Sequence, residues 1–180
     1  MIVTATGHRP LQQDKQTKEW YSKLVIGRIR QPLGEELFER LTALATAYLK
    51  AHPEVAALNV GMAQGWDLAV GMAGIRAGVP VVAWIPHAGH GQWSSIYRRI
   101  HAEVLEGAAT VHRCDEPYSP RLLLQRNSDM LENAGRVLAL HDGSKGGTAD
   151  CVGKAVKRGI PVTNLWGNWQ RYASPKETDL

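Results

Sequence analysis

The residues best suited to chemistry in this 180-residue chain fall in four short loops, each following a segment expected to form a strand. The loops span residues 7–10, 61–67, 115–120 with the helix that follows, and 142–148. All four combine glycine or proline with polar side chains. Backbone N–H groups in such turns, aided by the partial positive charge of a helix N-terminus, can hold a phosphate without a lysine. The pattern therefore indicates recognition of an anion.

The chain is organised around the loop at 61–67. An apolar segment at 55–60 predicts a strand, the glycines allow a tight turn, and Asp67 occupies the position expected of a helix N-cap. A glycine-rich turn that binds nothing is the alternative interpretation. The candidate ligand-binding residues of this loop are Gly61, Ala63, Gln64, Gly65 and Asp67.

The first and fourth loops offer similar chemistry. In the first loop, Arg9 can pair with a phosphate through two parallel hydrogen bonds, whereas the alternative is a glycine turn with two exposed polar side chains. In the fourth loop, a glycine pair opens a helix whose first N–H groups lack intrahelical partners. The candidates are Thr6, Gly7, His8 and Arg9 in the first loop, and Asp142, Gly146, Gly147 and Thr148 in the fourth.

The third loop opens a helix that can face the same cleft. Ser119 as N-cap and Pro120 at the first helical position predict where this helix begins. Arg126 and Asn127 lie on it and can line the cleft from one side. A solvated helix face is the alternative interpretation.

Strands and helices alternate along the chain, which predicts an α/β fold. Apolar residues recur at helical spacing over 35–51, and the strand segments at 81–85 and 136–141 are almost continuously apolar. We predict a Rossmann-like open parallel sheet of about six strands with helices on both faces. In such sheets, ligands bind beyond the carboxyl ends of the strands, which is where all four loops fall.

A single domain is expected over residues 1–180. Residues 11–33 form an insertion that the pattern does not assign, and a short helix or a hairpin over the site are both compatible with it. Residues 167–180 are expected to form a polar tail. In this region Trp166, Trp169 and Tyr172 are expected to fold back onto the body of the domain.

Composition narrows the function classes. A net charge of +4 with scattered basic residues favours an anionic ligand, and no apolar segment is long enough to span a bilayer. The two cysteines match no zinc spacing, so a cytoplasmic protein is expected. His87 and His90 lack a third partner, so neither a metal nor a cofactor is predicted. The chain has no Ser-His-Asp ordering and no Walker lysine.

The ordered motifs resemble the SLOG superfamily of Rossmann-like nucleotide-binding proteins. GMAQGWD at 61–67 resembles the G-x-A-x-G-x-D element of the DNA-processing protein DprA, and GGT at 146–148 resembles the G-G-x-G-T loop of the LOG, or lysine-decarboxylase-like, phosphoribohydrolases. The overall likeness is to the YpsA-like branch. Its opening T-G-x-[KR]-P matches residues 6–10, and its Y-x-S-P corresponds approximately to residues 118–120, ahead of Arg126 and Asn127.

The resemblance implies a nucleotide or nucleotide-derived ligand and a homo-oligomer. LOG enzymes cleave the base from a nucleoside monophosphate with an arginine, matched here by Arg126, and a glutamate. The aligned position holds Cys151, so Asp150 or Asp67 would have to supply the carboxylate. Three hypotheses follow. The first is binding or sensing of an adenine-type, ADP-ribose-like or signalling nucleotide. The second is cleavage of a nucleotide N-glycosidic bond, and the third is DprA-like binding of single-stranded nucleic acid. For the third, Trp20, Trp66 and Trp93 are candidates for stacking on bases.

Overall fold

The computed structural model describes residues 1–10, 12–13, 16–17, 20–21, 24, 34–93 and 96–173. No helix within these residues combines the length and the apolar character needed to cross a lipid bilayer. The strands are β1 (Ile2–Gly7), β2 (Gln12–Gln13), β3 (Trp20–Tyr21), β4 (Ala57–Val60), β5 (Val81–Ile85), β6 (Thr110–Arg113), β7 (Arg136–Leu140) and β8 (Val162–Asn164). The helices are α1 (Glu35–Ala51), α2 (Trp66–Ala77), α3 (Ile96–Glu106), α4 (Pro120–Met130), α5 (Gly147–Lys157) and α6 (Trp166–Ala173).

Six of these strands form a parallel sheet in the order β6-β5-β4-β1-β7-β8. The chain builds outward from β1 through β4, β5 and β6, then returns to the other side of β1 with β7 and β8. The direction of building therefore reverses beside β1. Open α/β sheets bind ligands at such a reversal, beyond the carboxyl ends of the strands.

Helices cover both faces of the sheet. Helices α1, α2 and α3 pack together, and α4 packs with α5. In β7, Leu138 and Leu140 belong to the larger core cluster, whereas Val137 and Ala139 belong to a smaller cluster with Cys151. Successive side chains of a strand point to opposite faces, so both faces are buried. The predicted Rossmann-like α/β fold is confirmed.

Helix α2 lies very close to its neighbours. A Cβ atom on Gly74 would lie 2.5 Å from Leu58 Cδ1, and one on Gly71 would lie 2.8 Å from Val104 Cγ1. A side chain at either position would force the neighbouring Leu58 or Val104 side chain to move, so glycine permits this close packing. The close packing fixes the N-terminus of α2 beside β1 and β4.

One prediction about this helix was wrong. Asp67 is not the N-cap, because α2 begins at Trp66 and Gly65 occupies the N-cap position. The Asp67 carboxyl group instead accepts hydrogen bonds from the backbone N–H groups of Ala63 and Gly7. Tertiary partners therefore replace the local capping bond that the sequence suggested.

The tail and the insertion each contain a short regular element. Residues 166–173 form helix α6 rather than a polar tail, and Trp169 is buried as predicted. The side chain of Tyr172 and residues 174–180 lie outside the described residues. Within the insertion, β2 and β3 pair antiparallel, which fits the hairpin alternative. The expectation that the insertion covers the site falls on residues outside those described.

Candidate functional site

A cleft of about 220 Å³ opens among the loops that follow β1, β4 and β7, where the sheet order reverses. The first, second and fourth predicted loops line it together with α4. The predicted site residues that line it are Thr6, Gly7, His8, Arg9, Ala63, Asp67, Arg126, Asn127, Gly146, Gly147 and Thr148. Leu123, Ser144 and Lys145 line it as well and were not predicted.

The loops after β1 and β4 approach each other through their backbones. Trp66 N donates a hydrogen bond to His8 O, and a Cβ atom on Gly65 would lie 2.7 Å from that oxygen. Gly65 also has a φ of 88°, which side chains other than hydrogen rarely allow. Gly65 is therefore required by the contact between the loops and does not itself line the cleft.

His8 connects the first loop to the loop after β7. Its Nε2 lies 2.8 Å from Asp142 Oδ1, and this oxygen also accepts hydrogen bonds from the backbone N–H of Ser144 at 2.9 Å and from its hydroxyl at 2.5 Å. Asp142, a predicted ligand-binding residue, thus organises its own loop and lies outside the cleft lining.

The N-terminus of α5 faces the cleft. Gly146 is its N-cap with a φ of 151°, and Gly147 is its first residue. Within the described part of the chain, no atom lies within 4 Å of where a Cβ on either glycine would stand. A ligand can therefore approach this backbone closely. Asn127 Nδ2 donates to Gly147 O at 3.2 Å and so links α4 to this turn.

The N-terminus of α2 already holds a carboxylate. Asp67 is only 5% exposed, and burial raises its pKa to about 6, although the Arg126 guanidinium opposes this rise. The backbone N–H groups of Ala63 and Gly7 donate to this carboxyl group. Within the turn at 61–67, the Ala63 amide therefore holds a carboxyl group of the chain itself.

Arg126 joins α4 to the loop after β4. Its Nη1 donates to Gly61 O, and its Nη2 donates to Asn127 Oδ1 at 3.2 Å. A Cβ on Gly61 would lie 2.7 Å from Arg126 Cζ and 2.9 Å from Asp67 Oδ2, so glycine makes room for both charged groups. Burial lowers the pKa of Arg126. Among the described residues its buried Nε has no hydrogen-bond partner.

Helix α5 carries Asp150, one of the two carboxylates predicted for LOG-like chemistry. Asp150 Oδ2 lies 2.9 Å from Lys154 Nζ and 3.4 Å from Asn127 Nδ2, outside the cleft lining. Cys151 is fully buried, and burial raises the pKa of its thiol to about 11. Within the described residues, the carboxylate that lines the cleft is Asp67.

A buried polar network sets the position of α4. Asn59 Nδ2 donates to Met130 O and to Asn133 Oδ1, each at 3.0 Å. Thr4 Oγ1 donates to Met130 O at 2.8 Å, and Trp84 Nε1 donates to Asn59 Oδ1 at 3.2 Å. These bonds anchor the C-terminal end of α4 to the sheet. Sequence reasoning missed them, although polar residues inside apolar strands are the signal that could have indicated them.

The two histidines considered as metal ligands contact each other, with 3.3 Å between His90 Nδ1 and His87 Nε2. Over residues 1–10, 34–93, 96–173 and the short described pieces between them, no three His, Cys, Asp or Glu side chains are grouped to hold a metal ion. Gln64 lies near these histidines, in a neighbouring cavity. Trp66 fills the core and Trp93 lines that cavity, while the side chain of Trp20 is outside the described set.

Comparisons of the sequence show no family. No protein-family model matches the chain. The 4-hydroxybenzoate octaprenyltransferase of Xanthomonas campestris pv. campestris (strain B100) is 34% identical over 62 residues, which cover 34% of this chain. The same enzyme from Xanthomonas oryzae pv. oryzae (strain PXO99A) is 32% identical over 62 residues. The chain spans only 21% of the length of these curated relatives.

Comparisons of the structure show the fold. DprA from Streptococcus pneumoniae superposes with a TM-score of 0.57 at 14% identity, covering 95% of this chain and 53% of DprA. DprA from Helicobacter pylori, whose structure is reported with its single-stranded DNA binding mode, superposes with a TM-score of 0.57 at 14% identity. The match covers 90% of this chain and 63% of that DprA. The structural genomics target TM1055 superposes with a TM-score of 0.52 at 18% identity, and the match covers 89% of this chain and 71% of TM1055. The chain therefore has a DprA-like Rossmann fold, which confirms the predicted likeness at the level of the fold.

Proposed function

We propose that the cleft binds the phosphate-bearing part of a nucleotide or nucleotide-derived ligand. The observation that carries this proposal is the N-terminus of α5, whose glycines face open space in a cleft that is also lined by Arg9, Arg126 and Lys145. Helix N-terminal amides and guanidinium groups are complementary to phosphate oxygens in both charge and geometry.

The charges around the cleft favour an anion. Three cationic side chains line it against the single carboxyl group of Asp67. Because the pKa of Asp67 is raised to about 6, this carboxyl group becomes neutral as the pH falls below that value. The positive charge of the cleft therefore exceeds its negative charge at neutral pH and increases further in mild acid.

Titration of the protein with ribose 5-phosphate in a calorimeter tests the proposal. Arg9 is exposed, so Arg9→Ala is expected to keep the fold and to weaken binding about tenfold, because a charge-assisted hydrogen bond is lost. The matched control is Arg121→Ala, which removes the same charge from an exposed position outside the cleft. The proposal is wrong if the wild-type protein does not bind, or if both variants weaken binding equally.

A second candidate function is hydrolysis of a nucleotide N-glycosidic bond. It is favoured by Asp67, which lies in the cleft beside Arg126 with a pKa of about 6, within the range of effective general bases and acids. In this reaction Asp67 would activate the water that attacks the anomeric carbon. Chromatography of nucleoside monophosphates after incubation tests it. Release of free base by the wild-type protein and by Asp150→Ala, but not by Asp67→Asn, would support turnover.

A third candidate function is binding of single-stranded DNA, favoured by the fold shared with DprA, whose Helicobacter pylori structure is reported with this binding mode. Fluorescence polarisation with a labelled oligothymidine tests it. We propose the nucleotide ligand first because the cleft, at about 220 Å³, is small. Membership of the YpsA-like branch, a homo-oligomeric assembly and a cytoplasmic location stay predictions from the sequence.

A further inference from the structure

A second cavity, here named the ring cavity, lies beside the cleft. It measures about 190 Å³ and shares Arg9 and Leu123 with the cleft, so the two spaces adjoin. Its remaining side chains include four rings and two amides: His87, His90, Trp93, Tyr118, Gln64 and Gln92. None of these six residues lines the cleft itself.

The ring cavity is poor in charge. Among its described lining residues, Arg9 is the one Arg, Lys, Asp or Glu, and it stands at the border with the cleft. His90 Nε2 donates to Met62 O at 3.1 Å, and burial lowers the pKa of His90 to about 3, so its imidazole is neutral. The Nδ1 of a neutral ring in this tautomer is an acceptor, and it faces His87 Nε2 at 3.3 Å. The ring cavity therefore suits an uncharged polar group better than a phosphate.

Its rings are arranged edge to face. The ring centroids of His87 and Tyr118 are 5.1 Å apart at 82°, and those of His90 and Trp93 are 5.3 Å apart at 78°. Tyr118 is nevertheless 62% exposed, which is unusual for a large aromatic side chain held by a neighbour. An edge-to-face contact covers at most one face of one of the two rings, so the exposed Tyr118 ring keeps a face available for a flat ligand.

The volumes of the cleft and the ring cavity also indicate that one ligand occupies both. Sites for small organic ligands typically measure about 300–1,000 Å³. At about 220 Å³ and about 190 Å³, neither the cleft nor the ring cavity reaches this range alone, but the two together do. A ligand with two chemically different ends, one anionic and one flat and uncharged, matches this pair.

We propose that the ring cavity holds the nucleobase of a nucleoside 5′-phosphate whose phosphate lies in the cleft. The inference rests on the proposed function and names the ligand class as a nucleotide rather than a sugar phosphate. The base stacks on Tyr118, and its polar edge exchanges hydrogen bonds with Gln64 or Gln92, because side-chain amides donate and accept as base edges do. Arg9, at the border, lies between the base and the phosphate.

Calorimetric titration with ribose 5-phosphate and with AMP, GMP, CMP and UMP tests the inference. The wild-type protein is expected to bind at least one of the nucleotides about tenfold more tightly than ribose 5-phosphate. Tyr118→Ala is expected to remove most of this gain and to leave the affinity for ribose 5-phosphate unchanged. The control Leu124→Ala truncates another exposed apolar side chain, outside both cavities, and is expected to change neither affinity.

The outcomes separate the two proposals. If ribose 5-phosphate binds and no nucleotide binds more tightly, or if Tyr118→Ala keeps the full gain, the ring cavity does not hold the base while the cleft still holds the phosphate. If none of the five compounds binds, the proposed function fails and this inference fails with it. Stacking on Tyr118 accepts any base, whereas hydrogen bonds from Gln64 distinguish one base edge from another. Gln64→Ala is therefore expected to reduce the differences in affinity among the four nucleotides.

Discussion

Asp67 is the residue whose chemistry depends most on its surroundings. Its carboxyl group is 5% exposed, receives two backbone N–H groups and faces the Arg126 guanidinium. Burial outweighs these favourable partners and raises the pKa to about 6 from the ordinary 3.8. The folded protein therefore retains a proton on Asp67 at a pH where the unfolded chain has released it.

This difference in pKa predicts a pH dependence of stability. The contribution of Asp67 is fully present below about pH 4, declines as the pH rises through 6, and is constant above that. The loss amounts to roughly 3 kcal/mol. Asp67→Asn cannot titrate, so urea denaturation at pH 4.5 and pH 7 should show the stability of the wild-type protein falling relative to that of the variant as the pH rises.

The control for this measurement is Asp150→Asn, at a partly exposed carboxylate that pairs with Lys154. Its stability should follow that of the wild-type protein across the same pH range far more closely than Asp67→Asn does. If the wild-type protein and Asp67→Asn show parallel pH profiles, Asp67 does not have a raised pKa.

Individual residues of the cleft differ in how well the sequence predicts their position. Arg9 and Gly147 line the cleft, where residues that follow strand ends in a parallel sheet are expected, and their contact with a ligand stays a prediction. Lys145 was not among the predicted residues. Backbone amides alone can hold a phosphate, so the prediction rested on the adjacent glycines. The role of Asp67 was misjudged because capping rules consider only neighbours in sequence, and Arg126 is distant in the chain. Pairings of this kind arise from tertiary packing.

At the scale of elements, the N-terminus of α5 can be tested separately from folding. Gly147→Ala adds a methyl group where the described residues leave space, at a helical position that alanine favours. We expect its stability to stay equal or to rise by up to about 1 kcal/mol. Its affinity for ribose 5-phosphate should fall about tenfold, because the methyl group stands in front of the amides that hold the phosphate.

The matched control is Gly153→Ala on the same helix, where a Cβ also meets no described atom within 4 Å. Gly153 lies outside the cleft, so this variant should gain stability and keep its affinity. Equal affinities in the two variants would show that the N-terminus of α5 does not contact the ligand.

The backbone of the turn that precedes α2 leads to a second prediction at this scale, which concerns stability. Gly65 and Gly78 both have positive φ, at 88° and 70°, but only at Gly65 would a Cβ meet a backbone oxygen, His8 O, at 2.7 Å. Gly65→Ala should therefore destabilise the protein by about 2 kcal/mol more than Gly78→Ala does. Urea denaturation of the two variants measures this difference, and equal losses would contradict the close contact between the loops.

The elements with a strong local sequence pattern were the predictable ones. Helix α1 and strand β5 match their predicted bounds, because strong apolar periodicity and flanking glycine or proline determine them locally. Helix α6 was missed because its segment is polar on average, and among its described side chains Trp169 is buried while Trp166 packs partly against the core. Packing against the sheet, rather than helix propensity, determines such a helix.

At the scale of the whole molecule, the topology explains the site. Parallel strands that alternate with helices bring the loops to one edge, and the reversal beside β1 leaves the cleft there. The position of the cleft at this edge could be predicted from the order of strands and helices in the sequence. The adjoining ring cavity did not, because it depends on how the loop after β5 and the start of α4 pack against each other.

Salt dependence distinguishes the ligand classes for the whole molecule. A protein that neutralises six phosphates of a single strand loses affinity several hundredfold, by about 0.7 log units per phosphate and log unit of salt, between 50 and 200 mM NaCl. A ligand with one phosphate should lose less than about fivefold over this range. A steep salt dependence with oligothymidine and no binding of mononucleotides would favour the DNA-binding alternative over the nucleotide proposal.

We propose that the cleft between the loop after β1 and the N-terminus of α5 receives a phosphate. The most direct measurement is a titration of ¹⁵N-labelled protein with AMP, followed by two-dimensional amide NMR. We expect the largest shifts at the backbone amides of Gly7, Arg9, Gly147 and Thr148, and none of comparable size in α3. Saturating AMP with unchanged resonances at Gly147 and Thr148, or with shifts confined to other parts of the chain, would contradict the claim.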